Sequence, residues 1–368
     1  MPKSKSKRAT LASLAEELNV SRTTVSNAYN RPDQLSEELR MRVLETAKRL
    51  GYPGPDPVAR SLRTRKAGAI GLLLTEELAF AVRDPAAAQF LSGLAEACGA
   101  QESGLTLIPA SEVGDPSRAA NVVHQASVDG FVIYSVAEED PYLEAVVARN
   151  MPMVVVDQPA DLEGIPTVSI DDYVAMKMLA DHIFDLGHKR LAILSIRLNP
   201  VRHNGTVSAE DARAARMHVQ ASRISAVLDS AAEHGIDADD VVIFESFENN
   251  YASGGLAAAE VLKAHPEITA LLCTSDVLAM GAMQYAHNEG ISVPAELTIT
   301  GFDGIPEAIE RKFTTVVQPS ERKGLRAGEL LFASEHGPVE SERLECRFQV
   351  GETSVSYTHL TLPTSDLV

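Results

Sequence analysis

The spacing of hydrophobic residues changes once along the chain, near residue 66. Before that point, apolar residues recur every three or four positions, which is typical of short helices. From Ala67 onward, short apolar runs alternate with longer helical stretches. Strand–helix alternation predicts parallel sheets that are covered on both faces. We therefore predict a small all-helical part followed by a larger α/β part.

Three short helices are predicted within residues 9–55. Thr10, Ser21 and Ser36 each precede a helical stretch and are residues that cap helix N-termini. The inward apolar positions of the three helices are, in chain order, Leu11, Leu14, Ala15 and Leu18, then Val25 and Ala28, then Leu39, Val43, Ala47 and Leu50. Two short helices with a tight turn and a third helix beneath them form a helix-turn-helix arrangement. A small helical interaction domain is the alternative.

The outward face of the second predicted helix favours nucleic acid. It presents Arg22, Thr23, Ser26 and Asn27, which are short or polar groups able to reach base edges and phosphates. A helix that only packs against the protein would carry longer Glu and Lys side chains there. We therefore interpret this helix as a recognition helix.

Nine apolar runs in the larger part predict strands, with helices between most of them. The strands are residues 70–74, 105–109, 130–134, 153–157, 191–195, 241–244, 270–274, 298–302 and 314–318. The helices include residues 86–98, 173–186, 223–234 and 255–264. Nine strands exceed what one compact half needs, so two similar sub-domains with a cleft between them are predicted. Ligands bind beyond the carboxyl ends of such strands.

The net charge of −18 conceals a basic first part. Residues 1–66 hold fourteen Lys and Arg and seven Asp and Glu, a net charge of +7, so the remainder carries −25. A basic end on an acidic protein is typical of a chain that touches a polyanion at that end only. Residues 1–8 alone fit a basic tail, whereas residues 9–66 are too regularly patterned for one.

Several function classes lack their sequence signals. No run of about 18 apolar residues is present, and the first twenty residues lack a signal-peptide core. The three cysteines are too few and too scattered for a disulfide framework or a zinc site. No glycine-rich phosphate loop, Ser-centred elbow or paired-histidine motif appears. We expect a cytoplasmic protein without enzyme activity, cofactor, metal or membrane contact.

Several segments of the sequence resemble the lactose-repressor (LacI/GalR) family of transcriptional regulators. In the first part, the resemblance lies in residues 10–15, 20–30, 35–36, 42–43, 47 and 50–52. In the larger part it lies in residues 128–131, 186–188, 191–192, 275–282, 301–303 and 314–319. The matches keep their order through about residue 350. The resemblance implies a helix-turn-helix headpiece and a periplasmic-binding-protein-like core of two doubly wound parallel-sheet sub-domains.

The resemblance implies a homodimer that binds double-stranded operator DNA. Arg22 and Thr23 match the principal base-reading positions and Asn27 the third, where many members have Arg. Residues 56–66 match the family's hinge helix, with Leu62 as the leucine wedge in the minor groove; an ordinary linker is the alternative. The predicted DNA contacts are Thr10, Ser21, Arg22, Thr23, Thr24, Ser26, Asn27, Asn30, Ala59, Arg60, Leu62 and Arg63.

The resemblance also implies a small effector, a sugar, nucleoside or purine, in the cleft. Arg223 matches the arginine that holds polar groups of the ligand, and Asn249 falls where several sugar-binding members have an aromatic residue. Of Asp171 and Asp172, Asp171 is expected to face the cleft; Asp276 could instead cap a helix. The predicted pocket residues are Phe80, Arg83, Asp84, Phe90, Asp171, Arg223, Asn249, Ser275, Asp276, Asp303 and Gln318.

The domain organisation follows from these matches. We predict a basic tail at 1–8, the headpiece at 9–55, the hinge at 56–66 and the core at 67–354. Sub-domain one comprises about 67–170 and 319–337, and sub-domain two about 171–318 and 338–354. Residues 199–222 form a longer connection than usual in the family, expected as a surface excursion beside the cleft mouth. Residues 355–368 do not continue the family pattern and are expected to be non-native or disordered.

Two other hypotheses remain open at this point. A solute-binding protein that acts alone would share the core, but the headpiece and the absence of a signal peptide speak against it. An enzyme with an attached DNA-binding head would need a catalytic set in the core, and no such set is visible. We therefore favour a DNA-binding regulator, most simply a repressor.

Overall fold

The computed structural model describes residues 9–55, 61, 64, 66–74, 83–109, 116–159 and 162–357. The chain divides into two compact units at Ala67 and Gly68. We call the first the head and the second the body. Each unit has its own hydrophobic core.

The head contains three helices, α1 (Leu11–Leu18), α2 (Arg22–Asn30) and α3 (Glu37–Leu50), with a 3₁₀ turn at Pro32–Gln34. The predicted caps are confirmed. Thr10 and Ser13 cap α1 reciprocally, Ser21 Oγ accepts from the Thr24 amide at 2.9 Å, and Ser36 Oγ accepts from the Leu39 amide at 3.3 Å. Gly51 ends α3 with a φ of 67°, a left-handed conformation that glycine adopts without strain.

The core of the head is formed by the inward positions that the helical spacing predicts. Leu14, Val25 and Val43, one from each helix, are completely buried. Tyr29 and Tyr52 pack edge to face, with ring centroids 6.1 Å apart. Three short helices therefore stabilise one another in an arrangement typical of a helix-turn-helix unit.

The body contains two sheets. The first has the strand order β12-β5-β4-β3-β1-β2 and the second the order β13-β11-β10-β9-β6-β8-β7. The strands are β1 (Ala69–Leu74), β2 (Gly104–Pro109), β3 (Phe131–Tyr134), β4 (Met153–Val156), β5 (Thr167–Ser169), β6 (Leu191–Ile196), β7 (Asn204–Val207), β8 (Val242–Ser246), β9 (Ala270–Cys273), β10 (Thr298–Asp303), β11 (Thr314–Val317), β12 (Glu342–Arg343) and β13 (Arg347–Gln349). Neighbouring strands are parallel except for β7 beside β8 and β13 beside β11.

Helices cover these sheets. They are α4 (Pro85–Ala100), α5 (Pro116–Gln125), α6 (Pro141–Ala148), α7 (Asp172–Asp185), α8 (Ala209–Arg213), α9 (His218–Glu233), α10 (Tyr251–Ala264), α11 (Asp276–Glu289), α12 (Pro306–Glu310) and α13 (Ser320–Ser334). All nine predicted strands are present, and the predicted parallel α/β architecture is confirmed. Helix α9 begins at His218, five residues before the predicted start at Arg223. None of the described helices could cross a membrane.

Three expectations about the body need correction or comment. Residues 338–354 were all assigned to sub-domain two, but β12 pairs with β5 in the first sheet, and only β13 belongs to the second. The segment 199–222 is not a mere excursion, because it contains β7, α8 and the start of α9. In the C-terminal segment, the Tyr357 amide donates to the Leu186 carbonyl at 2.8 Å; residues 358–368 lie outside the described part.

Each half of the body contains one helix pair that glycine brings into close contact. In the first half, a Cβ on Gly93 of α4 would collide with the Glu321 carbonyl of α13. In the second half, a Cβ on Gly281 of α11 would collide with the Tyr251 carbonyl of α10. Glycine is therefore needed for the close approach of one helix pair in each half.

Candidate functional site

A cavity of about 90 Å³ lies between the two sheets of the body. It lies where the carboxyl ends of β1, β3 and β4 in one sheet face those of β6, β9 and β10 in the other. Its walls come from Leu74, Asp84, Ala86, Ala87, Tyr134, Ser135, Asp157, Gln158, Ile196, Arg197, Met217, Val219, Gln220, Arg223, Asn249, Thr274, Ser275, Asp303 and Gln318. This is the edge at which parallel sheets bind ligands.

Six of the eleven predicted pocket residues line this cavity, and most of them contact one another. They are Asp84, Arg223, Asn249, Ser275, Asp303 and Gln318. Asn249 Nδ2 donates to Asp84 Oδ2 at 3.2 Å, and Ser275 Oγ donates to Asn249 Oδ1 at 2.6 Å. Asp84 precedes α4 in the first half, whereas Asn249 and Ser275 belong to the second. The Asn249–Asp84 hydrogen bond therefore connects the two halves across the cleft, and Ser275 supports it from the second half.

Other predicted pocket residues lie elsewhere. Arg83 is exposed and lines a separate surface groove with Tyr251. Phe90 lies behind the cavity wall, where its ring stacks on Tyr134 with centroids 4.1 Å apart. Asp276 is completely buried and accepts hydrogen bonds from Thr315 Oγ1 at 2.6 Å and from the Ile305 amide at 2.8 Å. Asp276 does not cap a helix either, because Ser275 is the cap of α11 and its Oγ accepts from the Leu278 amide at 3.2 Å. Phe80 lies outside the described residues.

Asp171, which we expected to face the cleft, does not line this cavity. It lines a neighbouring groove with Asp157 and Asp172. Asp171 caps α7, where its Oδ1 accepts from the Val174 amide at 3.0 Å, and its Oδ2 pairs with Arg343 at 2.9 Å. Asp172, the next residue, is buried and points inward to Arg223. A helix begins here, so the capping requirement turns Asp171 back toward the helix N-terminus and leaves Asp172 to face the interior.

Arg223 is the centre of the buried charges. It projects from α9 and is 5% exposed. Its Nε donates to Asp172 Oδ1 at 2.8 Å, its Nη1 donates to the Thr274 carbonyl at 2.7 Å, and Nη1 lies 3.8 Å from Asp303 Oδ1. The guanidinium carbon also lies 3.6 Å from the centre of the Phe302 ring. Arg223 is therefore a buried member of an ion pair and not a surface arginine.

A second buried cation, Lys323, extends these contacts into the first half. Lys323 Nζ donates to Asp157 at 2.6 and 2.9 Å and to Gln318 Oε1 at 2.7 Å. Gln318 Nε2 in turn donates to Asp303 Oδ1 at 2.6 Å. Lys323, Asp157 and Asp172 were not among the predicted residues. The position of Asp157 after a strand could have identified it as a site residue. Nothing near Lys323 in the sequence marks that lysine as buried.

Burial dominates the titration of the cavity carboxyl groups. It raises the pKa of Asp303 and of Asp172 above the usual range, although the charge of Arg223 acts in the opposite direction on both. Burial also raises the pKa of Asp84, opposed by hydrogen bonds from the Ala86 and Ala87 amides. Arg223 gains in pKa from Asp172 and Asp303 despite its own burial. The cavity therefore favours a ligand that can both donate and accept hydrogen bonds.

Backbone conformation also distinguishes the cavity. Ser135, Asp157 and Asp303, which follow or end three strands, have φ values of 53°, 64° and 121°. Non-glycine residues rarely adopt positive φ, and such residues cluster at functional sites. The surroundings hold three lining residues in strained conformations, which supports a functional role for this edge. Among the described residues, no group of His, Cys, Asp and Glu could hold a metal ion.

The predicted DNA-contact residues of the head fall into two groups. Arg22 and Thr23 are exposed at the start of α2. Thr10, Ser21 and Thr24 take part in helix caps, Asn27 Nδ2 donates to Gln34 Oε1 at 3.1 Å, and Asn30 Nδ2 donates to the Ser26 carbonyl at 2.9 Å. Ala59, Arg60, Leu62 and Arg63 lie outside the described residues.

Comparison with known proteins agrees with this architecture. Residues 67–333 match the family described as periplasmic binding proteins and sugar binding domain of LacI family. The HTH-type transcriptional regulator Rv3575c of Mycobacterium tuberculosis is 53% identical over 325 residues, which cover 88% of this chain and 90% of that protein. The HTH-type transcriptional regulator IpsA of Corynebacterium glutamicum is 48% identical, covering 95% of this chain and 98% of that protein.

A solved structure extends the match to the three-dimensional fold. The crystal structure of a LacI-family transcriptional regulator from Corynebacterium glutamicum is 44% identical and has a TM-score of 0.76. The alignment covers 95% of this chain and all of that one. The family model matches the body, and the Corynebacterium glutamicum relative and solved structure extend over both the head and the body. The chain belongs to the LacI family of transcriptional regulators, a class of proteins that are not enzymes.

Proposed function

We propose that the protein represses transcription as a homodimer whose affinity for a near-palindromic operator is controlled by a small molecule in the cavity. The exposed Arg22 and Thr23 at the start of α2 support DNA reading by this helix. The net charge of +7 in residues 1–66 favours contact with phosphates. Two identical heads in a two-fold dimer imply two symmetric half-sites.

The observation that carries the effector proposal is the composition of the cavity wall. Carboxylates, amides and a guanidinium from both halves converge there, with Asp84, Asn249 and Arg223 as examples. Every hydroxyl of a sugar both donates and accepts, so a polyhydroxylated molecule satisfies such a wall. We infer that the effector is a sugar or presents the ribose of a nucleoside. Stacking of a sugar ring on an aromatic side chain is not part of this proposal, because residue 249 is an amide and the nearby rings of Phe90 and Tyr134 stack on each other.

The cavity volume supports control by movement of the two halves. About 90 Å³ is less than the roughly 300–1,000 Å³ of common small-molecule sites. We infer that the cavity widens by movement of the two halves when the effector binds. An effector that prefers one relative orientation of the halves shifts the balance between orientations, and operator binding then alters effector affinity by the same factor.

Operator binding is tested by selecting sites from random duplex DNA with the full-length protein, followed by footprinting. We expect a symmetric protected site and an affinity that falls steeply with salt. Arg22→Ala should weaken specific binding by about 1–3 kcal/mol. Arg49→Ala, which removes another exposed arginine of the head, is the matched control and should change affinity far less. Failure to enrich any symmetric site would contradict the proposal.

The effector is tested by thermal shift against a panel of monosaccharides and nucleosides. A bound compound at about 100 times its dissociation constant stabilises the protein by about 2.7 kcal/mol. Arg223→Lys keeps the charge but loses the planar fork that holds Asp172, so it should lose the shift. If no member of either class shifts the unfolding temperature, the proposed effector class is wrong.

A further inference from the structure

Helix α9 carries three residues of the cavity wall, Val219, Gln220 and Arg223, yet no side chain of its own caps it. The first amide groups of a helix have no partner within the helix and need another acceptor. Met217 occupies the cap position of α9 and makes no capping hydrogen bond with its side chain. Gln220 and Arg223, which line the cavity, lie within the first two turns. Their placement therefore depends on how this end of the helix is held.

The missing acceptor comes from the other half of the body. The Val219 amide donates to Gln158 Oε1 at 3.0 Å. Gln158 follows β4 of the first sheet and is 2% exposed. Its Nε2 donates to Ser135 Oγ at 3.2 Å and lies 3.7 Å from Met217 Sδ. Both ends of the Gln158 amide are thus engaged, and one of them caps a helix across the cleft.

The segment 199–217 brings the start of α9 to Gln158. The Glu245 carboxylate holds its base, accepting from the Leu198 amide at 2.7 Å and contacting His203 Nδ1 at 2.8 Å. At the other end, the Met217 amide donates to the Leu198 carbonyl at 3.0 Å. This segment therefore returns to its own base and presents residues 217–219 to the first half.

We propose that Gln158 is a positioning residue that caps α9 across the cleft and thereby couples closure of the two halves to the placement of Gln220 and Arg223. When the halves separate, the Val219 amide loses its acceptor, so the closed form gains a capped helix that the open form lacks. The importance of this coupling for effector control rests on the proposed function. The cap itself does not, and it can be measured without effector or DNA.

The test is hydrogen exchange of the full-length protein, read by mass spectrometry at peptides that isolate the Val219 amide. In Gln158→Ala this amide should exchange about fivefold faster than in the wild type, a typical effect of losing one helix cap. Gln158→Glu keeps an acceptor at the same reach and adds a negative charge that a helix N-terminus favours. It should therefore retain slow exchange at Val219.

The matched control removes a different contact across the same cleft. Glu139 and Arg216 form an exposed ion pair at 2.7 Å, and exposed pairs contribute little. Glu139→Ala should leave exchange at Val219 within twofold of the wild type. The two variants therefore compare the loss of a buried contact with the loss of an exposed contact across the same cleft.

Three results would overturn the proposal. The first is unchanged exchange at Val219 in Gln158→Ala, and the second is equally fast exchange in Gln158→Ala and Gln158→Glu. The third is faster exchange throughout both sheets in Gln158→Ala, which would indicate general destabilisation instead of a local cap. A protein that binds no operator or effector but passes this test would refute the proposed function and leave the cap intact.

Discussion

The head and the cavity of the body both depend on polar side chains, but they hold them in opposite ways. On α2, Arg22 and Thr23 are exposed, and the helix that presents them is capped by Ser21, its immediate neighbour in sequence. Beside the cavity, Arg223 is buried against Asp172, which is 51 residues away, and Lys323 against Asp157, which is 166 residues away. The residues of α2 are exposed to solvent and held by a sequence neighbour, whereas the buried pairs join residues that are distant in sequence.

The difference follows from solvation. An exposed polar group keeps water as its partner, so it remains available to a macromolecule such as DNA at little cost. A buried charge must be paired inside the protein, because its desolvation is otherwise uncompensated. Removing one partner of a buried pair beside the cavity therefore destabilises the body. Substitutions in the two regions should consequently have very different effects on folding.

The largest expected effect is that of Asp172→Ala. This change leaves the buried Arg223 guanidinium without its nearest carboxylate, and removing one partner of a buried pair costs about 3–5 kcal/mol. Urea unfolding followed by circular dichroism should show the loss. Asp171→Ala, which removes the neighbouring half-exposed acid, is the control and should cost about 1 kcal/mol as a lost cap. Equal losses would contradict the distinction between the two acids.

The next effect is a pH dependence from the buried Asp276. Burial raises the pKa of Asp276 to about 7, whereas an unfolded Asp titrates near about 3.9. Between these values the folded protein binds the extra proton, so this carboxyl contributes less to the free energy of unfolding as pH rises, by about 1.4 kcal/mol per pH unit. Asp276→Asn removes this pH-dependent contribution to the free energy of unfolding.

The measurement for Asp276 is urea unfolding of wild type and variant at pH 5.5 and 6.5. Relative to Asp276→Asn, the wild type should lose about 1.4 kcal/mol over that pH unit. Parallel pH profiles would show that the carboxyl is ionised throughout, held so by Thr315 and the Ile305 amide. In that case the buried acid would behave like an exposed one, and the comparison between the two regions would weaken.

The smallest effects are expected in the head. Ser36→Ala removes the acceptor of the Leu39 amide and should lower the stability of α3 to opening by about 1 kcal/mol. Arg22→Ala should change it by less than about 0.5 kcal/mol, because no buried feature is lost. Hydrogen exchange at the α3 amides measures both. A stability loss from Arg22→Ala as large as that from Ser36→Ala would mean that Arg22 is not a free surface group of the head.

Much of the fold could be predicted because its signals are local. The caps at Thr10, Ser21 and Ser36 need only the next three residues, and all three were predicted. The nine central strands were also predicted, because buried parallel strands appear as continuous apolar runs. The strands that were missed, β5, β7, β12 and β13, have two to four residues and lie at or beside the sheet edges, where little apolar burial marks them.

The site was predicted less completely, for a related reason. Residues at strand ends, such as Ser275 and Asp303, could be identified because position in the pattern places them at the carboxyl edge. The choice between Asp171 and Asp172 failed because it depended on where a helix begins. Gln158 and Lys323 carried no signal, since their partners are supplied by other segments only after the sheets have formed.

By itself, the sequence determined the helical head, the parallel α/β body, the division of charge between them and the family. These properties depend on periodicity and on neighbours within a few residues, so they are present before the chain is folded. The tertiary structure decided which polar groups are buried together, which acid meets Arg223 and which side chain caps α9. Desolvation makes those pairings obligatory, and the folded topology alone brings the partners within reach.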